Sequence, residues 1–140
     1  SDHYSDGSMY DILHPDGGVS MNGKSGHVQM NGSDVFKKAV KQMSESVKSL
    51  LKSNNLNIED VDFLVPHQAN QRIINSIANK FNLPDEKVIV TIEKHANCSA
   101  ASIPLALSEL KSTKGIERGK LVVFTAFGAG TTWGSILVRW

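Results

Sequence analysis

A single cysteine, Cys98, occurs among the 140 residues, which excludes an internal disulfide framework and any multi-cysteine metal site. Basic and acidic residues nearly cancel, 15 against 14, so the chain has no broad field to attract nucleic acid or an anionic membrane. No apolar run approaches the ~20 residues that span a bilayer, and the first residues have no signal-peptide core. We therefore expect a soluble, cytoplasmic protein with neither a nucleic-acid nor a membrane partner.

The composition, 40% hydrophobic and 21% charged, is that of one ordinary globular domain. Residues 1–27 contain five glycines and little apolar periodicity, which predicts a loop-rich lead-in with room for one short edge strand. Residues 28–140 form the predicted domain. It opens with a strand at 27–30, and an apolar stripe then predicts a helix from Asp34 to about Lys52.

The rest of the chain alternates between short apolar runs and helical stripes. A buried strand at 61–65 is closed by Pro66, which cannot continue a hydrogen-bond ladder. A helical stripe from Ala69 to Phe81 follows, with His67 and Gln68 at its start. Apolar rather than alternating strands indicate a sheet covered by helices on both faces, so the predicted class is α/β. The remaining predicted elements are a strand at 88–90, a helix at 99–112 and strands at 121–125 and 135–138.

Two polar clusters lie at predicted strand–helix junctions, where α/β enzymes build active sites. The first contains His67 and the second contains Asn97. We expect the first-turn amides of the helix after His67 to lower the imidazole pKa and keep the ring neutral. A neutral imidazole and a carboxamide can both donate N–H to an enolate oxygen. Two plainer alternatives stay open: a helix-start histidine bonded to a carbonyl, and an N-cap asparagine, which propensity alone favours.

Cysteine, histidine and asparagine together also suggest a cysteine hydrolase. Asn97 and Cys98 are adjacent, however, and neighbouring side chains of an extended segment point to opposite faces. We therefore reject this arrangement and expect Cys98 to be a small buried core residue. His95 shares the face of Asn97 and raises the question of a zinc site with His67, but two histidines without a third ligand predict no metal.

The segment 127–134 is rich in glycine, yet it lacks the Lys-Ser/Thr ending of a phosphate-binding loop and joins two strands. We predict a tight hairpin whose backbone N–H groups point at a ligand oxygen, with a simple turn as the alternative. Arg72 is a single exposed cation about one helical turn after His67. Such a charge either solvates the helix or attracts a phosphate or an acidic carrier protein.

Three segments carry a resemblance to a known family: 65–74 (VPHQANQRII), 97–104 (NCSAASIP) and 126–135 (AFGAGTTWGS). In order and spacing they resemble the C-terminal half of β-ketoacyl-acyl-carrier-protein synthase III, a condensing enzyme of the thiolase superfamily. The resemblance implies a thiolase-like fold, with this chain as one βαβαβ half of a five-layer α-β-α-β-α arrangement. It also implies an acyltransferase that condenses acyl-CoA, in the first place acetyl-CoA, with malonyl-ACP to initiate type II fatty acid synthesis.

The resemblance assigns His67 and Asn97 to the last two places of a Cys-His-Asn triad, where they hold the malonyl thioester carbonyl as its enolate forms. Ala129 matches a backbone N–H of the oxyanion hole in the acyl-cysteine step. Arg72 matches a position implicated in carrier-protein docking. Gln68 is expected to be structural. The positions that line the pantetheine tunnel correspond to Gly32, Ala69, Asn70 and Phe127.

The family's nucleophilic cysteine lies in the preceding half, and Cys98 stands where the family often has threonine. The chain by itself is therefore expected to be inactive. The resemblance implies a homodimer for the full-length enzyme and no cofactor beyond the substrates acyl-CoA and malonyl-ACP. Two alternatives share these motifs and stay open: a related acyltransferase that primes a secondary-metabolite pathway, and a non-catalytic CoA- or pantetheine-binding module. The acyl-chain preference and the role of His95 are not predicted.

Overall fold

The computed structural model describes residues 1–140. No helix combines the length and the hydropathy that a membrane span requires. Four short 3₁₀ segments connect the main elements, at Gly7–Ile12, Ile58–Asp60, Asp85–Lys87 and Ser99–Ala101. The main elements in chain order are β1 (Asp2–Ser5), β2 (Leu13–Pro15), β3 (Val28–Met30), α1 (Gly32–Ser53), β4 (Phe63–Pro66), α2 (Gln71–Lys80), α3 (Ile92–His95), α4 (Ser102–Thr113), β5 (Leu121–Gly128) and β6 (Thr132–Arg139).

A four-stranded mixed sheet has the order β1-β6-β5-β4. The β4 and β5 strands are parallel, with Leu64 opposite Val123, so their carboxyl ends lie together. The β5 and β6 strands form an antiparallel hairpin, and β1 pairs antiparallel with the outer side of β6. A separate two-stranded ribbon consists of β2 and β3. The lead-in 1–27 thus contributes the edge strand of the main sheet.

Helices cover both faces of the sheet, because the side chains of β4 and β5 alternate between two cores. Leu64 and Val123 belong to a core cluster with residues of α1 and α2. Val65 and Val122 face the other way, into a cluster that includes Ala106 and Leu110 of α4. This arrangement confirms the predicted α/β class with a sheet between helical layers.

The longest helix, α1, begins where Asn31 caps it, with Oδ1 accepting the N–H of Asp34 at 3.3 Å. It ends before Asn55, whose φ of 53° lies outside the helical range. Asparagine adopts this left-handed conformation more readily than most residues. The predicted bounds are correct to within two residues. Its apolar stripe is buried against the sheet, and complete burial of one such aliphatic side chain stabilises the fold by about 1.5–3 kcal/mol. The buried apolar members of the stripe are Val35, Ala39, Met43, Val47, Leu50 and Leu51.

Two sequence predictions for the region around the site need correction. The α2 helix starts at Gln71 instead of directly after His67, because Asn70 adopts an extended conformation and accepts the N–H of Arg72 on Oδ1 at 2.8 Å. His67 therefore lies in a loop. The predicted strand at 88–90 is reduced to a bridge, in which Val88 lies opposite Leu64 and Ile89 N–H donates to the Leu64 carbonyl at 2.9 Å. The short helix α3 was not predicted.

Candidate active site

His67 is held at the carboxyl end of β4 by a backbone bond in which its N–H donates to the Thr125 carbonyl of β5 at 2.8 Å. The imidazole is partly buried and lines a cavity of about 710 Å³. The cavity walls come from β1, from the β5–β6 hairpin and from the start of α4. Apolar groups such as Phe124, Trp133 and Ile136 form much of this wall. A titratable ring facing an apolar cavity is a common arrangement in active sites.

Burial lowers the pKa of His67 below its ordinary value of 6.5. The charged form is disfavoured because the partly desolvated ring loses hydration on protonation. The lowered pKa agrees with the sequence prediction, but the predicted cause, the first-turn amides of a helix starting at His67, was wrong. The α2 helix begins only at Gln71, and burial accounts for the shift without its first-turn amides. His67 is therefore a neutral group at pH 7.

The next residue, Gln68, fixes the loop from within and is only 1% exposed. Its Nε2 donates to the carbonyls of Pro66 at 2.8 Å and Ile89 at 3.0 Å. Its Oε1 accepts the N–H of Thr91 at 2.8 Å. One side chain therefore ties the loop that carries His67 to the segment that leads into α3. This agrees with the structural role predicted for Gln68.

Asn97 lies on the loop between α3 and the 3₁₀ turn at Ser99–Ala101, and it is exposed. Its Oδ1 accepts the N–H of Ser99 at 3.0 Å, which is the bond of an Asx-turn. The N-cap position of the 3₁₀ turn is Cys98, without a side-chain cap, so Asn97 is not the N-cap that propensity favours. No hydrogen bond joins it to His67. The residues on either side of Asn97 and Cys98, Ala96 and Ser99, have φ values of 54° and 52°. Non-glycine residues in this region cost about 1–3 kcal/mol each, and such strain clusters at functional sites.

Cys98 is partly exposed, which contradicts the predicted buried core position. The loop 96–99 runs along the surface, and the Cys98 Sγ lies 2.6 Å from the carbonyl oxygen of His95. It makes no contact with His67, so the arrangement of a cysteine hydrolase is not formed. His95 turns to α4, with Nε2 3.5 Å from Oε2 of Glu109, while Lys94 contacts the other carboxylate oxygen, Oε1. No three His, Cys, Asp or Glu side chains are grouped as metal ligands.

The glycine-rich segment forms the β5–β6 hairpin, as predicted, and its turn is shorter than the segment suggested because the two strands run to Gly128 and from Thr132. Ala129 is exposed at the tip, beside Gly130 with a φ of 131°. The tip is tied to the lead-in by two reciprocal backbone bonds of 2.9 Å between Asp6 and Thr131. No local sequence pattern indicates this tie, which joins residues 125 positions apart.

The N-terminal ends of α1 and α2 lie side by side. The Arg72 guanidinium lies 5.3 Å from the centre of the Phe36 ring, a cation–π distance. Gly32 is the first residue of α1 and Asn70 is the N-cap of α2. Phe127 belongs to the same core cluster as these helices, and of the four predicted pantetheine positions it alone lines the cavity of His67. Ala69, in the loop before α2, is partly exposed.

Comparisons with known proteins agree on one family. A family model described as "3-Oxoacyl-[acyl-carrier-protein (ACP)] synthase III C terminal" matches residues 51–140. The chain is 53% identical to the Beta-ketoacyl-[acyl-carrier-protein] synthase III of Rickettsia bellii over 140 residues, which cover all of this chain and 44% of that protein. The chain therefore spans less than half the length of this relative.

Solved structures give the same result. The 3-oxoacyl-[acyl-carrier-protein] synthase III of Aquifex aeolicus is similar over 99% of this chain and 43% of that one, with a TM-score of 0.90 and 42% identity. The corresponding synthase of Pseudomonas aeruginosa has a TM-score of 0.89 and 41% identity over 99% of this chain and 43% of its own. The thiolase-like fold predicted from the three motifs is thereby confirmed.

Proposed function

Because this chain belongs to the 3-oxoacyl-acyl-carrier-protein synthase III family, we propose that it supplies the enolate-stabilising part of a decarboxylative condensing site. The observation that carries the proposal is the neutral, partly buried His67 on the wall of an apolar cavity. An uncharged N–H donor in a cavity of low polarity is suited to an oxygen on which negative charge develops. The full-length protein that carries this chain would be an acyltransferase that initiates fatty acid synthesis.

The chemistry has two bond-forming steps. A cysteine thiolate takes the acyl group of acyl-CoA and releases CoA as its thiolate, leaving an acyl-cysteine thioester. In malonyl-ACP the bond to the carboxylate then breaks, CO₂ leaves, and the electron pair forms an enolate on the thioester oxygen. The enolate carbon attacks the acyl-cysteine carbonyl, the C–S bond breaks, and 3-oxoacyl-ACP and the cysteine thiolate are released. In the proposal His67 and Asn97 donate to the enolate oxygen, and the Ala129 N–H donates to the oxygen of the tetrahedral intermediate.

The nucleophile has to come from outside this chain. Cys98 is the sole cysteine, and its Sγ lies against the His95 carbonyl, away from His67. Residues of the rest of the full-length protein would face the cavity of His67 and bring the acyl-cysteine to it.

The partners follow from the same proposal. Malonyl-ACP and acyl-CoA both carry a pantetheine arm, for which Gly32, Ala69, Asn70 and Phe127 are the proposed lining. Exposed Arg72, at the N-terminal end of α2, would attract the acidic carrier protein. We place the reaction in the cytoplasm and in a homodimer, with no cofactor besides the two thioester substrates.

The test separates the two half-reactions in the full-length protein. Substituting His67→Ala removes the enolate donor but leaves the acyl-cysteine step its own backbone donors. We expect malonyl-ACP decarboxylation to fall by about 10²–10³-fold, the usual effect of losing one oxyanion donor, while acyl transfer from acyl-CoA stays near the wild-type rate. His27→Ala, at an exposed histidine of the lead-in, is the matched control and should alter neither step.

Equal losses in both half-reactions would contradict this division of roles. A full-length protein that binds CoA but neither accepts an acyl group nor decarboxylates malonyl-ACP would instead be a binding module, and the proposed function would be wrong.

A further inference from the structure

The Nδ1 ring nitrogen of His67 contacts a serine. Ser102 is the first residue of α4 and is 2% exposed. Its Oγ lies 2.6 Å from Nδ1 of His67 and accepts the backbone N–H of Gln68 at 3.2 Å. These are the two hydrogen bonds of this hydroxyl, which therefore joins α4 to both the ring and the backbone of the His67 loop.

The position of the proton follows from counting donors and acceptors. A backbone N–H can only donate, so Gln68 occupies one lone pair of the Ser102 oxygen. If His67 Nδ1 also donated to this oxygen, the buried serine proton would need a third partner, and Ser102 Oγ has none. If the serine donates to Nδ1, every group in the chain of contacts is satisfied. The hydrogen-bond network therefore assigns the His67 proton to Nε2.

The hydroxyl has no other evident use. Serines at helix starts usually cap the helix by accepting one of its free N–H groups. Ser102 does not, because the N-cap position of α4 is Ala101 and no side-chain cap is formed there. Its acceptor capacity is given to Gln68 and its proton to His67.

We propose that Ser102 is a positioning residue, which holds His67 as the tautomer with its proton on Nε2, so that the ring donates a hydrogen bond into the cavity. The inference rests on the proposed function for its consequence, since only an N–H aimed at the substrate stabilises an enolate oxygen. The opposite tautomer would present a lone pair to that oxygen and repel it. Ser102 lines the same cavity as His67, but both hydrogen bonds of its hydroxyl go to His67 and Gln68, so in this proposal it acts through His67.

The experiment compares three variants of the full-length protein. Ser102→Ala removes the hydroxyl, Ser102→Thr keeps it, and Ser108→Ala makes the same change on an exposed part of α4. For Ser102→Ala we expect kcat for malonyl-ACP decarboxylation to fall about 10- to 100-fold, less than for loss of the donor itself, with KM within about twofold of wild type. Acyl transfer should remain within about twofold, Ser102→Thr should recover most of the decarboxylation rate, and Ser108→Ala should match wild type.

A second readout does not depend on turnover. Nitrogen NMR of ¹⁵N-histidine-labelled protein, with the His67 signals assigned by their loss in His67→Ala, reports which ring nitrogen is protonated. We expect a single Nε2–H tautomer in the wild type and a mixture in Ser102→Ala. Should Ser102→Thr fail to fold, this measurement on the wild type and Ser102→Ala still decides the question.

Three results would overturn the inference: a His67 that carries its proton on Nδ1, an unchanged decarboxylation rate in Ser102→Ala, or equal losses in both half-reactions together with a lowered Tm, as a purely structural serine would give. One result would separate the two proposals. If the wild type shows no condensation, but its His67 is the Nε2–H tautomer and Ser102→Ala gives a mixture, then the proposed function is wrong and the positioning role of Ser102 is retained.

Discussion

Substitution of the Gln68 side chain is expected to lower the free energy of unfolding by more than the small change in side-chain volume suggests. Gln68→Leu replaces the carboxamide by an apolar group of similar volume at a site that is 1% exposed, and it removes three hydrogen bonds. The Thr91 N–H has Gln68 Oε1 as its acceptor, and leaving it buried and unpaired costs about 1–3 kcal/mol. The carbonyls of Pro66 and Ile89 each lose a donor, worth about 1 kcal/mol apiece. The total is about 3–5 kcal/mol.

The assay is thermal unfolding of the full-length protein with and without the substitution. A full-length protein of the relative's size has about 320 residues, because 140 residues are 44% of it. At about 2.1 cal/mol/K per residue, Tm falls by about 1.5 °C per kcal/mol, so the loss lowers Tm by roughly 4–8 °C. Gln71→Leu is the matched control, because Gln71 is half-buried and its side chain bonds no backbone group: Nε2 donates to Asn75 Oδ1 at 2.7 Å and Oε1 has no partner. We expect the control to change Tm by less than about 2 °C.

Gln68→Glu provides a further check on the same reasoning. A carboxylate keeps the acceptor for the Thr91 N–H but places negative charge beside two carbonyl oxygens that need a donor. Its protonated form can serve one of them, so this variant should gain stability relative to wild type as the pH falls. A Tm for Gln68→Leu within about 2 °C of wild type would refute the assignment of Gln68 as the tie between the His67 loop and the α3 segment.

Two further predictions concern pH and charge. Because burial lowers the pKa of His67 below 6.5, the neutral donor persists below that pH. We therefore expect kcat/KM for malonyl-ACP to stay level down to pH 6.5 and to fall only beneath it. A His67-dependent fall that starts above pH 6.5 would contradict the buried neutral ring. The unfolded chain takes up this proton first on acidification, so His67 also favours the folded state above pH 6.5 and loses that contribution as the pH falls further. Arg72→Ala should raise KM for malonyl-ACP about three- to tenfold at low salt with kcat unchanged, and this increase should shrink at high salt. Lys80→Ala, at the other end of α2, should leave KM unchanged. A salt-independent increase in KM for Arg72→Ala would indicate lost packing on Phe36 instead of lost docking.

Elements with a strong local pattern could be predicted from the sequence. The stripe of α1 and the apolar runs of β4 and β5 depend on periodicity within one segment, and periodicity is visible in the chain itself. The predicted position of His67 at the end of a buried strand follows from Pro66 in the same way. These predictions place His67 on the correct edge of the sheet.

The details of the site depend on contacts between distant residues, which no local pattern encodes. The bond between His67 and Ser102 joins residues 35 positions apart, and Gln68 reaches Ile89 and Thr91 across 21 and 23 positions. The start of α2 was misplaced because an apolar stripe does not reveal which polar residue before it forms the cap; Asn70 does, three residues after His67. The partial exposure of Cys98 follows from a strained loop conformation, which residue type alone did not indicate.

The most direct test of the central claim is mass spectrometry of the acyl carrier protein after incubation of the full-length protein with acetyl-CoA and malonyl-ACP. The account predicts that malonyl-ACP is converted to acetoacetyl-ACP with release of CO₂, and that His67→Ala slows formation of this product by about 10²–10³-fold while the acetyl group still accumulates on the protein. Condensation that proceeds at the wild-type rate without the His67 imidazole would contradict the account.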